Sequence, residues 1–133
     1  MSYTPQLLTA RYVATKAKEA YAAGKLGANI PNNKEIGCRY AYGEYDGAYA
    51  GYHCGVGCAL NKEALAKVIA GNMNRDSVDS LVDAGVVCYE SSDDFSDVMR
   101  IQFAHDNVCS ASDPRSRANA LKKFRRLLDK HVA

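Results

Sequence analysis

Apolar residues recur every three to four positions over five stretches of the chain and alternate with polar ones over a sixth. In TPQLLTARYVATKAKEAYAAGKLG, a helical period puts Leu7, Ala10, Val13, Ala14, Ala17, Ala20 and Tyr21 on one mostly small face. Thr4 fits the N-cap there, Pro5 the first helical position and Gly24 the stop. NKEALAKVIAGNMN offers Leu65, Val68 and Ile69, with Gly71 near its end. RDSVDSLVDAGVV turns Val78, Leu81 and Val82 inward, behind Asp76 or Ser77 as cap. SSDDFSDVMRIQFAHDNVCSA begins with Ser92 and Asp93 as caps and places acids where the helix dipole favours them. SDPRSRANALKKFRRLLDKHVA repeats the signature: Asp113 as cap, Pro114 next, then a stripe of Leu121, Phe124 and Leu128.

The alternating stretch is IGCRYAYGEYDGAYAGYHC. GEYDG is turn chemistry, so the pattern predicts a β-hairpin closing near Tyr45 and Asp46, with Cys38 roughly opposite Cys54. GANIPNNKEIG before it reads as loop. The expected architecture is α+β but mainly helical: about five helices plus one β-hairpin, in one compact domain over residues 1–133.

The helix expected over about 93 to 109 carries an anomaly. Phe95, Val98, Met99, Gln102, His105, Asp106 and Cys109 share a face, while Arg100 and Asn107 lie opposite. The inward stripe therefore starts apolar and ends with an amide, an imidazole and a carboxylate. Burying these costs several kcal/mol unless each is paired. The stripe implies a satisfied internal network, a site, or a helix phase rotated from this one.

GYHCGVGCAL, residues 51–60, is the second concentration of chemistry. A thiol at the start of a helical turn sits where backbone N–H groups stabilise a thiolate. Cys54 as nucleophile, His105 as base and Asp106 or Gln102 orienting it would make an activated Cys-His pair. Zinc is the competing chemistry. Cys54 and Cys58 are spaced i, i+4, as are His105 and Cys109, with Cys38 and His53 as further donors. The chain has no C-x-x-C knuckle, so the expectation is no metal and no other cofactor.

Bulk composition adds little. Charged residues make up 24% and the net charge is +2, typical of a globular domain and a weak argument for nucleic acid. The last helix is basic through Arg115, Arg117, Lys122, Lys123, Arg125, Arg126 and Lys130. It offers a phosphate-binding face, although a solvated cationic face is the more common outcome. Tyr40, Tyr42, Tyr45, Tyr49 and Tyr52 are expected to be exposed on the hairpin, for stacking or for cross-strand pairing. No apolar run approaches the roughly 18–20 residues of a membrane span, and no secretory signal opens the chain. A cytoplasmic protein with its five cysteines reduced is expected.

One resemblance joins these pieces. CRY at 38–40, CGVGCAL at 54–60 and IQFAHD at 101–106 resemble the pattern of a family of small uncharacterised phage, prophage and bacterial proteins. That pattern has Cys, then Arg or Lys and Tyr; later Cys-Ala-Val-Gly entering a helix; and Leu-Gln-x-x-His-Asp towards the C-terminus. It spans roughly residues 36 to 110 and matches Cys38, Arg39, Tyr40, Cys54, Val56, Gly57, Gln102, His105 and Asp106. Gly55 stands where Ala is usual and Ile101 where Leu is usual, while Cys58 and Cys109 fall outside it. The resemblance implies a phage-type accessory protein of the cytoplasm, without an activity. The combined expectation is a binding protein whose partner is a host or defence-system macromolecule or a small signalling ligand. Gln102, Arg39, Tyr40, Tyr52 and Gly57 are the binding candidates, and Cys54, His105 and Asp106 the catalytic ones of the alternative, a Cys-His hydrolase or transferase. Nucleic-acid binding through the basic helix is a third reading, not favoured.

Overall fold

The computed structural model describes residues 3–30, 39–44, 47–49 and 51–132. Cys38 and the expected hairpin turn at Tyr45 and Asp46 lie outside them. Five α-helices are present: α1 (Ala10–Ala22), α2 (Lys62–Ala70), α3 (Val78–Asp83), α4 (Ser92–Ser110) and α5 (Pro114–His131). Two three-residue strands, β1 (Gln6–Leu8) and β2 (Val87–Tyr89), pair in parallel with Gln6 opposite Val87. The mainly helical α+β class read from the sequence is the observed one.

The helix starts follow side-chain capping. Thr9, Asn61, Ser91 and Asp113 each accept the backbone N–H three residues on, satisfying a donor that the first turn leaves open. Asp113 with Pro114 is the expected start. The cap of α4 is Ser91 rather than Ser92 or Asp93, and α1 begins at Thr9, not at Thr4 and Pro5. The reason for the second shift is tertiary: Gln6–Leu8 gains a ladder with β2 and buries Leu8 completely, leaving Leu7 exposed. Gln6 also ties this strand to the turn before α2, donating to the Ala59 carbonyl and accepting from Asn61 N–H.

The described part of the expected hairpin forms no strand. Tyr42–Glu44 and Gly47–Tyr49 are 3-10 turns, and the ends meet through Tyr42 N–H donating to the Tyr52 carbonyl. Alternation there reflects side chains sent inward from turns, because Tyr40 and Tyr42 are buried at 2% and 0% exposure. The expectation of exposed tyrosines is thereby corrected at both positions. Asn74 holds the segment from outside, exchanging hydrogen bonds with both backbone groups of Ala41.

The core draws on every helix: Val13, Ala14 and Ala17 of α1, Ala64 and Val68 of α2, Val78 and Leu81 of α3, and Phe124 and Leu128 of α5. α4 contributes Val98, Ile101 and Val108 to the same cluster and packs most extensively on α5. α1 packs against α5 and α4. Among the described residues, no helix is long and apolar enough to cross a membrane.

Candidate functional site

Helix α4 is rotated from the phase expected over 93–109. Its buried residues are Val98, Ile101, His105, Val108 and Cys109, whereas Met99 is 37% exposed and Gln102 and Asp106 sit at the edge of the stripe. Burying the branched side chains of Ile101 and Val108 outweighs burying an amide and a carboxylate. The rotation divides the polar cluster. His105 enters the core, and Gln102 and Asp106 line a cavity.

His105 is fully buried and is the one buried polar residue among those described. Its Nε2 accepts the Ala28 N–H at 3.0 Å, which puts the ring proton on Nδ1. Nδ1 lies 3.8 Å from the Cys109 thiol and 3.7 Å from Asp106 Oδ1, and the ring meets Phe124 edge-on. The Ala28 peptide is gripped from both sides, since Arg117 of α5 donates to the carbonyls of Ala28 and Ile30. Arg117 therefore works inside the fold rather than on the basic face expected of α5. Lys18 pairs with Asp129 of the same helix at 2.8 Å.

Gln102 joins the glycine-cysteine stretch to α4. Its Oε1 accepts from the Cys54 thiol and from Val56 N–H, each at 3.1 Å, and its Nε2 donates to Asp106 Oδ1 at 2.6 Å. Cys54 Sγ in turn accepts the Gly57 N–H at 3.2 Å. CGVGCA is thus a turn running into the 3-10 helix Gly57–Ala59, folded over its own first thiol. The glycines are there for close approach. A Cβ at Gly57 would lie 2.2 Å from the Tyr40 carbonyl oxygen, and one at Gly55 would lie 3.1 Å from His105 Cβ. His53 completes the knot, bonding through Nδ1 to the Tyr40 carbonyl while its own carbonyl accepts from Gly27.

A cavity of about 460 Å³ opens beside this chain, within the usual ligand-pocket range of roughly 300–1,000 Å³. Arg39, Tyr40, Cys54, Gln102 and Asp106, all singled out from the sequence, line it together. His105, Tyr52 and Gly57 do not. Tyr52 instead carries Lys25 over its ring, and Gly57 supports the backbone of Tyr40. The rest of the wall is Asn74–Ser77 before α3 with Val78 at its start, and Met99, Phe103, Cys109 and Ser110 on α4, of which the sequence had placed Met99 and Cys109 on the same face. Phe103 is 68% exposed, and an aromatic off the apolar stripe of its own helix was the available signal.

The four described cysteines are thiols. Among the described residues, no group of three or more His, Cys, Asp or Glu side chains is arranged to hold a metal. Burial pushes the Cys58 thiol from its ordinary 9.0 up to about 12, an unreactive state for a cysteine at neutral pH. Burial also raises the Tyr40 and Tyr89 phenols well above the usual range, with the Cys54 and Asp106 charges adding to the effect at Tyr40. All three groups stay protonated in the fold and lose protons more readily when unfolded. Their contribution is therefore complete below the ordinary thiol and phenol values and fades as pH rises beyond them. Stability should hold to about pH 9 and fall steeply above it. Tyrosinate absorbance should show a late fraction that titrates together with unfolding. A titration in which every tyrosine ionises normally in the folded protein would contradict this.

Comparison with known proteins gives no match: no family model, no curated protein and no solved structure resembles the chain.

Proposed function

We propose that the protein is a phage-type accessory factor that acts by binding, and that its ligand is a small molecule held in the cavity between α4 and the segments 39–40 and 74–78. The observation that carries the reading is the convergence of polar groups on this one cavity. Arg39, Tyr40, Cys54, Gln102 and Asp106 line it, and Gln102 locks Cys54 and Asp106 into fixed positions. A concave site with a few oriented polar groups and an apolar lip is the usual form of a small-molecule site. Tyr40 adds a phenol that is 2% exposed and whose hydroxyl has no hydrogen-bond partner among the described residues. The phage-associated cytoplasmic setting is what the resemblance of the residue pattern around Cys38, Cys54 and His105 implies. Within it the bound molecule would be a host or defence-system signal.

Native mass spectrometry after incubation with a bacterial small-molecule extract tests the reading. The parent protein should retain a small molecule. Phe103→Lys, which places a charged chain at the cavity's lip, should lose it while melting within about 0.5 kcal/mol of the parent, as exposed positions do. A parent that retains nothing from the extract, under conditions where a control receptor does, would reject the proposal.

A further inference from the structure

The charges of the cavity indicate which small molecules suit it. Its lining holds two guanidinium groups, Arg39 and Arg75, and two carboxylates, Asp76 and Asp106. Among the described residues, the side chains of Arg75 and Asp76 make no hydrogen bond or ion pair. Asp106 uses one oxygen for Gln102 and leaves the other open. A site for a purely anionic ligand would carry an excess of cations, and one for a cation an excess of acids. Here the signs balance: Asp106 stands on α4, Arg39 on the 39–40 segment, and Arg75 beside Asp76 on the loop before α3.

The α4 wall also sets a spacing. Met99, Phe103 and Asp106 are related by four and three residues, so each is a neighbour of the next, with Cβ atoms roughly 5–6 Å apart. An apolar surface thus lies one side-chain length from an open carboxylate oxygen. We propose that the cavity takes a small zwitterion with an apolar arm, an amino acid or dipeptide with an aromatic or aliphatic side chain. Its ammonium pairs with Asp106, its carboxylate with Arg75, and its arm lies on Met99 and Phe103. This rests on the reading of the cavity as a ligand site and narrows it to one chemical class. Each end of a bound zwitterion then meets an opposite charge at the cavity wall, on Asp106 and on the exposed Arg75.

Calorimetric titration of the full chain tests the inference. The probes are L-phenylalanine, leucylphenylalanine, N-acetyl-L-phenylalanine without the ammonium, L-phenylalaninamide without the carboxylate, and AMP. At least one of the two zwitterions should bind. Each blocked form should bind about tenfold more weakly or worse, the scale of one charge-assisted hydrogen bond. Asp106→Asn keeps the acceptor for Gln102 and should abolish discrimination against the acetylated form alone. Arg75→Gln should abolish discrimination against the amide alone. Blocked and unblocked forms binding equally would overturn the inference. AMP binding without either zwitterion would overturn it too, yet leave the cavity a small-molecule site. Silence from every probe would overturn it, and the extract experiment then decides whether the broader reading falls as well.

Discussion

Gly57→Ala is expected to destabilise the protein by about 3 kcal/mol, at the upper end for forcing extra volume into a packed site. For a chain of this size that is a fall in melting temperature of about 10 °C. The reason is local and rigid. The added Cβ would sit 2.2 Å from the Tyr40 carbonyl oxygen and 2.9 Å from Tyr40 Cα, and backbone cannot rotate away as a side chain can. The turn would have to lift from the Tyr40 strand of chain, stretching the Gly57 N–H bond to Cys54 and the hold of Gln102 on Val56 N–H. Gly47→Ala serves as control, since a Cβ there meets nothing within 4 Å. Thermal melts of the two variants should differ by most of that 10 °C; equal melts would show that the 54–59 turn is not packed as described.

His105→Ala carries the other large effect, about 3–4 kcal/mol in urea unfolding, combining a cavity against Phe124 with the stranded Ala28 N–H. His105→Gln should recover part of it, because the amide oxygen can accept that N–H. Asp106→Asn should cost under about 1 kcal/mol, since its side chain is 42% exposed and the amide still accepts from Gln102. The sequence alone places both residues on one inward stripe; their exposures, none for His105 and 42% for the Asp106 side chain, separate the two expected effects. If His105→Ala unfolds at the same urea concentration as the parent, the imidazole does not hold the 27–30 turn.

What the sequence made legible follows from which signals are local. Asp113 with Pro114, Phe124 and Leu128 of the last stripe, and Ala10, Val13, Ala14 and Ala17 of the small face of α1 are set by near neighbours and appear as read, whereas Leu7, read on that face, is exposed in β1. The strand at Gln6–Leu8 was hidden because its partner lies some 80 residues away and three residues show no period. Over the described part of the expected hairpin, alternation did not separate a strand from turns that bury Tyr40 and Tyr42. On α4 the sequence pattern placed Gln102, His105 and Asp106 together on the inward stripe, and a small rotation of the helix was enough to keep His105 inside and move Gln102 and Asp106 to its edge. The loop 74–78 gave no signal, since its residues join the site only through tertiary placement. Of the i, i+4 pairs that raised zinc, Cys54 and Cys58 turn to different acceptors, Gln102 and the Gly55 carbonyl, while His105 and Cys109 lie side by side.

The central claim is that the cavity on α4, rather than the basic face of α5, is where this protein meets its ligand. Amide chemical shifts of the labelled chain, recorded with the small-molecule and the macromolecular fractions of a bacterial extract in turn, test it most directly. The account predicts that the small-molecule fraction perturbs residues 39–41, 74–78 and 99–110 and leaves the exposed face of 114–131 unchanged. Perturbations confined to 114–131, and produced by the macromolecular fraction alone, would contradict it.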